Sequence, residues 1–230
     1  MEDELWLLGC AHYGEDSQDK GELKRYLTYA KAHRIAIAGM GDTNDIGLCF
    51  GTKHIGSVWN NNLTPSKQID AFVDDFWSVR HQMVGILTGN HEKRAESLTS
   101  INPMKVAADR LGVPYFGASK VLVWHGKKIF LAHGASSSES GDFKKVLDSN
   151  EGLDAIALAH THQLTHKRVR RFVINHRGYR SEKTIELVRV GSFLKDADYA
   201  KFALHAPTPI GSAFLRYQSK DDTLAVRLGL

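Results

Sequence analysis

The sequence predicts a layered α/β protein, on three observations. Short apolar runs of strand length recur along its 230 residues. Stretches with helical spacing separate the early runs, and the last third is strand-rich. Central strands flanked by helices are the arrangement such an order builds.

The elements follow in order. "LWLLG" (5–9) reads as the first strand. In "DKGELKRYLTYAKAH" (19–33), Leu23, Leu27 and Ala30 share one helical face. "RIAIAG" (34–39) is a second strand. "TPSKQIDAFVDDFWSVR" (64–80) opens with Thr64 or Ser66 as cap and Pro65 in the first turn, and Ile69, Phe72, Val73 and Phe76 form its apolar stripe. "MVGILTG" (83–89) is a strand. "NPMKVAADRLG" (102–112) has Asn102 to cap it, Pro103 at the first helical position and Gly112 to stop it. "KVLVWHG" (120–126) and "KIFLAHG" (128–134) form a hairpin turning at His125-Gly126-Lys127, and a short helix is expected near 142–149. "AIALAH" (155–160), "TIELVRVGSF" (184–193), "SAFLRYQ" (212–218) and "TLAVRLGL" (223–230) complete the strands.

Composition narrows the classes. Apolar content of 42% and charged content of 24% are those of an ordinary globular protein. No run approaches the roughly eighteen apolar residues of a membrane span. With no repeat, low-complexity stretch or linker, one domain over 1–230 is expected. The acidic start "MEDELWLL" does not resemble a signal peptide, and Cys10 and Cys49 make no disulfide framework, so a cytoplasmic protein is expected. A net charge of +4 hints at polyanionic partners.

The chemistry lies where the strands stop. "LLGCAHYG" presents Cys10 and His12, whose i, i+2 spacing would aim both to one side of a strand. "IAGMGDTND" presents Asp42, "GILTGNHEKR" presents Asn90 and His91, "FLAHG" presents His133, and "IALAHTHQ" presents His160 and His162. Each type is a metal ligand or its neighbour, and in α/β sheets sites gather at the carboxyl ends of strands. Each motif singly also fits a turn or a packed histidine. Five in one chain, each closing an apolar run, point to one site.

In this order and spacing the sequence resembles the calcineurin-like metallophosphoesterases, whose pattern is Asp-x-His, Gly-Asp, Gly-Asn-His-Asp/Glu, His and Gly-His-x-His. Here the corresponding residues are Cys10-Ala11-His12, Gly41-Asp42, Gly89-Asn90-His91-Glu92, His133-Gly134 and Ala159-His160-Thr161-His162. The resemblance covers residues 5–195, with "RVGSFL" (189–194) as the strand after the last motif. Two departures are Cys10 for the first Asp and Ala159 for Gly. The resemblance implies two stacked mixed β-sheets flanked by helices, and two divalent cations (Mn, Zn or Fe). They would screen a phosphate ester and hold a hydroxide for attack on phosphorus. Asp42 would bridge them. Cys10, His12 and His162 would complete one site, and Asn90, His133 and His160 the other. His91 would stabilise the transition state or protonate the leaving oxygen. Glu92 would orient rather than ligate. Apart from the resemblance, Asp45 in "GDTNDIG" is placed to hold a histidine of the site from behind, a common arrangement at metals. A Cys10 thiolate keeps the carboxylate's charge but is softer, favouring Zn²⁺ or Fe²⁺ over Mg²⁺.

The substrate is a phosphate ester, and three readings compete. The first is a nucleic-acid phosphodiesterase, similar to compact nucleases and virus-encoded members of that family. Arg94 beside the site supports it, and so does the basic run "HKRVRRF" (166–172) with "NHRGYR" (175–180), in which Arg168, Arg170 and Arg171 would grip a DNA or RNA backbone if it folds as a hairpin beside the metals. The second is a phosphomonoesterase, whose usual arginines "GDTNDIG" and Thr88 lack. The third is a scaffold that has lost the chemistry.

Overall fold

A computed structural model describes residues 3–47, 61–134, 141–174, 177–195 and 209–230. Cys49, Asn175 and His176 lie outside the described residues. Two mixed sheets lie face to face between helices. The first holds β1 (Glu4–Leu8), β2 (Ala36–Gly39), β3 (Met83–Leu87), β4 (Tyr115–Gly117), β10 (Ala213–Gln218) and β11 (Thr223–Leu228), in the order β11-β10-β1-β2-β3-β4. The second holds β5 (Ser119–Trp124), β6 (Lys127–Ala132), β7 (Ala155–Leu158), β8 (Leu164–Ile174) and β9 (Arg180–Val190), in the order β5-β6-β7-β9-β8. Strands β1 to β4 run parallel, as do β6, β7 and β9; the pairs β1–β10, β10–β11, β5–β6 and β8–β9 are antiparallel.

Alternation along β1 explains the layering. Leu5 and Leu7 face the second sheet, where they meet Ile129, Leu131, Ala157 and Val188. Trp6 and Leu8 face the opposite way, into helices α1 (Lys20–His33), α2 (Pro65–Phe76) and α4 (Pro103–Leu111). A strand buried on both faces reads as a continuous apolar run, as "LWLL" does. Trp6 packs among Tyr26, Phe76, Phe193 and Phe214 at ring separations of 5.6–6.4 Å. On the far side of the second sheet, α5 (Gly141–Ser149) lays Phe143 on Ile156, Leu158, Ile185 and Leu187.

Local signals are met closely. Asn102 caps α4 by accepting from the Met104 and Lys105 amides, and Gly112 ends it at φ 68. The β5–β6 turn sits at His125 and Gly126, both with positive φ, the conformation of a type I′ hairpin. Thr64 precedes α2 without a side-chain capping bond.

Three elements differ from expectation. The stretch 90–99, for which the sequence predicts no element, is helix α3 (Asn90–Thr99), whose few apolar residues leave no stripe to read. Strand β4, three residues long, has no counterpart among the expected strands. The basic run is strand β8, paired along its whole length with β9, which starts at Arg180 rather than Thr184.

Candidate metal centre

The parallel strands of both sheets end on one side of the sandwich, and the motif loops leave from those ends. Cys10 and His12 follow β1, Asp42 follows β2, Asn90 and His91 open α3 after β3, His133 follows β6, and His160 and His162 follow β7. The expected i, i+2 strand geometry of Cys10 and His12 does not occur, because β1 ends at Leu8. Both residues lie beyond it with positive φ, 21° and 49°. Asp42, His160 and His162 also have positive φ. Left-handed backbone at a non-glycine residue costs roughly 1–2 kcal/mol. Such strain concentrates at functional sites.

Glycines let two of these loops meet. A Cβ on Gly89 would lie 2.2 Å from the Asp42 amide nitrogen, and one on Gly41, at φ 84, 2.6 Å from the Gly89 nitrogen. Buried Glu92 locks the junction by accepting from the amides of Asp42 (3.1 Å), Asn44 (2.8 Å) and Gly89 (2.9 Å). Burial pushes the Glu92 carboxyl up to about 7, with Asp42 adding to the effect. Its expected supporting role has this physical form.

Three donor groups, each with its ligand atoms within 4.8 Å of one another, occur among the described residues: Cys10 with His12 and His162, Cys10 with Asp42 and His133, and His12 with Asp42 and His91. Cys10 thus borders both expected sites rather than one. His133 donates from Nδ1 to the Met40 carbonyl at 2.9 Å, and its Nε2 faces Asp42 Oδ2 at 2.9 Å and Asn90 Oδ1 at 3.0 Å. His160 stands further out, half-buried, its ring 5.3 Å from that of His133, and joins none of the three groups.

The charges show what these donors fit. Burial opposes a charge on His133, yet Asp42 raises its pKa to about 9. A proton on Nε2 therefore stands among an imidazole nitrogen, a carboxylate oxygen and an amide oxygen. A second such place lies between His12 Nε2 and His162 Nε2, 3.1 Å apart. Burial works against charge on His12 as well, but Asp45, accepting from its Nδ1 at 3.0 Å, holds its pKa well above the ordinary value. His162, lowered to about 3 by burial and by the His12 charge, is left as the acceptor. Two nitrogens each about 2.1 Å from one ion at a right angle would be separated by about 3 Å, so the pair also fits a cation. A carboxylate behind a ligand imidazole, as Asp45 stands behind His12, is the usual support of a metal-binding histidine. The donor set therefore fits divalent cations.

Some supporting residues carry no signal in the sequence. Asn61 donates to Asp45 Oδ2 at 2.7 Å, and Gln68 donates to Asn61 Oδ1 at 2.6 Å. The Asp45 carbonyl accepts from His91 Nδ1, and His91 Nε2 lies 3.9 Å from Asp42 Oδ2. Burial lowers the His91 pKa to about 4, so its Nε2 carries a lone pair at neutral pH.

The arginines divide. Arg94 lies by the site, its Nε 3.4 Å from the Asn90 carbonyl. It lines a cleft of about 650 Å³ that opens against Asn90 and His133. Arg168, Arg170 and Arg171 lie on β8, paired antiparallel with β9, but not beside the strand-end donors. Strand β8 leaves the site at Leu164 and runs away, so at about 3.4 Å per residue Arg168 lies about 14 Å and Arg171 about 24 Å along it. Arg168 is level with Glu186, which pairs with Ala155 at the start of β7, whereas His160 follows the end of β7. Each of the three is already engaged: Arg168 with Glu186 (2.8 Å), Arg170 with Glu182 (3.2 Å) and Arg171 with Asp148 (3.2 Å).

No protein-family model matches the sequence, and no curated protein matches it either. Solved structures do resemble the fold. An archaeal phosphodiesterase aligns over 98% of this chain and 99% of its own, with a TM-score of 0.52 and 9% identity. Vps29 from Entamoeba histolytica, solved with zinc, aligns over 97% of each chain with a TM-score of 0.44 and 13% identity. A metallophosphoesterase from Sphaerobacter thermophilus covers 99% of this chain and 88% of its own, with a TM-score of 0.44 and 10% identity. At these identities the first likeness shows the fold, two mixed sheets flanked by helices, and nothing of the reaction.

Proposed function

We propose that this protein is a divalent-metal-dependent phosphoesterase, and within that class a phosphodiesterase acting on nucleic acid. One observation carries the reading: five strand-end loops from two sheets bring Cys10, His12, Asp42, Asn90, His133 and His162 together, several through strained backbone. Strained backbone and buried charge gathered at one place are features that ligand sites concentrate.

Cys10, His12 and His162 would hold one ion, and Asp42, Asn90 and His133, with His160 at the rim, a second. Bound divalent cations would neutralise phosphate oxygens and make water a stronger nucleophile near neutral pH. The chain's own groups do the rest. Glu92 and Asp45 keep Asp42, Asn44 and His12 in place. His91, anchored through Nδ1, presents the Nε2 lone pair as a proton-accepting group beside Asp42. Arg94 and Lys93 supply positive charge on the cleft wall. The preference for a diester and for nucleic acid rests on those cations and on the lack of the arginines expected of a protein phosphatase.

The test is a screen of aryl phosphate mono- and diesters with single- and double-stranded DNA and RNA, using Mn²⁺, Zn²⁺ and Mg²⁺. Diester hydrolysis that chelation abolishes is expected. His91→Ala should lower turnover by about 10²–10⁴-fold while bound metal is retained. Full activity in verified metal-free protein would overturn the reading, and loss of metal with His91 would make it a ligand.

A further inference from the structure

The cleft beside the metal centre has a graded wall. Asn90, Lys93, Arg94, Ser97 and Leu98 of α3 line it. Their spacing of three and four places them on one helical face. Asn90 stands at the site, the two cations one turn on, and Ser97 and Leu98 a further turn away. The opposite face of α3 buries Glu92 and Ala95, while Leu98 is 46% exposed on the cleft side. Ala118 adds apolar surface to the lining.

The dimensions select an occupant. From Asn90 to Leu98 the helix rises about 12 Å, the length of three to four stacked nucleotides at about 3.4 Å each. A volume of about 650 Å³ is that of a small-ligand pocket, which holds a nucleotide or two of such a strand, the rest running on along α3, and does not hold a duplex. Charge points the same way. Lys93 is shared with Glu96 at 2.8 Å, whereas the Arg94 guanidinium makes a long hydrogen bond to the Asn90 carbonyl and no ion pair among the described residues. Its planar fork matches a phosphate's oxygens.

Resting on the phosphodiesterase reading, we propose that this face of α3 binds single-stranded nucleic acid. The phosphate next to the scissile one lies on Arg94, assisted by Lys93, and the base beyond it contacts Leu98 and Ala118. The cleft thereby makes the site selective for single strands over duplexes.

Binding is measured by fluorescence anisotropy with a labelled thymidine tetranucleotide and chelator-treated protein, so that nothing is hydrolysed. Arg94→Ala should raise Kd about 10–100-fold, the loss of one charge-assisted contact. It should also flatten the slope of log K against log salt by about 0.7. Leu98→Asp should weaken binding at least tenfold, and a blunt duplex should bind at least tenfold less tightly than the single strand. In Mn²⁺, Arg94→Ala should lower the ratio of kcat/KM for the tetranucleotide to that for an aryl diester. Unchanged Kd and slope in Arg94→Ala, an unchanged ratio, or equal binding of duplex would overturn the subsite while leaving the phosphodiesterase intact. A wild-type protein that hydrolyses no diester with any metal would overturn the underlying reading instead.

Discussion

Cys10, His12, Asp42, His160 and His162 share left-handed backbone although none is a glycine. At the residue scale this strain is held by bonds elsewhere: the His12 amide donates to the Asp42 carbonyl at 3.1 Å, and the Phe193 amide to the Cys10 carbonyl at 3.1 Å. Cys10 is wholly buried, yet its sulfur belongs to two groups of side chains that could hold a metal ion, which makes it a candidate ligand as well as a packing residue. Coordination lowers a thiol's pKa, and the thiolate then binds. Cys10→Ala should therefore lower metal affinity by at least about 100-fold, at or above the loss seen on removing a ligand's outer partner. Cys10→Asp should restore affinity and move preference from Zn²⁺ towards Mn²⁺. Titration calorimetry with metal analysis checks both. Two tightly held metals in Cys10→Ala would reduce the thiol to packing.

Helices and strands differ in how their ends and edges are managed. The β8–β9 ribbon leaves β8 as a sheet edge of eleven residues, and its cations serve first to keep that edge soluble and unpaired. Within it the arginines are unequal. Glu186 is buried and accepts from both His166 and Arg168. Arg168→Ala leaves that carboxylate with a single partner and should cost about 1–3 kcal/mol of stability. Arg170 pairs with half-exposed Glu182 at the surface, and Arg170→Ala should change stability by less than about 0.5 kcal/mol. It should also affect oligonucleotide binding less than Arg94→Ala, because β8 carries it away from the cleft. Urea unfolding and the anisotropy measurement read the two effects. Equal destabilisation by both variants would refute this account of the ribbon.

For the whole molecule, the donors tie the two sheets together. Cys10, His12, Asp42 and Asn90 leave the first sheet, and His133, His160 and His162 the second. Cations held between them would stabilise the folded state alone, so free metal at a hundred times its Kd should add about 2.7 kcal/mol per site. Urea melts with added Mn²⁺ or Zn²⁺, set against melts in chelator, measure this without any substrate. A midpoint indifferent to metal would mean that the donors hold no ion in solution. No helix among the described residues is long and apolar enough to cross a membrane.

Read without coordinates, the chain already carried its layering, the caps of α4, the β5–β6 turn and the strand-end motifs. These rest on local spacing, where a residue's neighbours in sequence are its neighbours in space. Where local spacing is silent, tertiary structure decided. Strand β8 has an apolar residue at too few positions to show a period, and its pairing with β9 alone makes it a strand. Helix α3 buries Glu92 because three amides from two loops converge on it, which no window of sequence displays. Cys10 and His12 reach one object through left-handed backbone beyond the strand, not through strand alternation. The placing of Arg94 at the cleft and of Arg168, Arg170 and Arg171 far along β8 depends on strand direction. Charge is a property of residues, but its distance from a site is a property of the path the backbone takes.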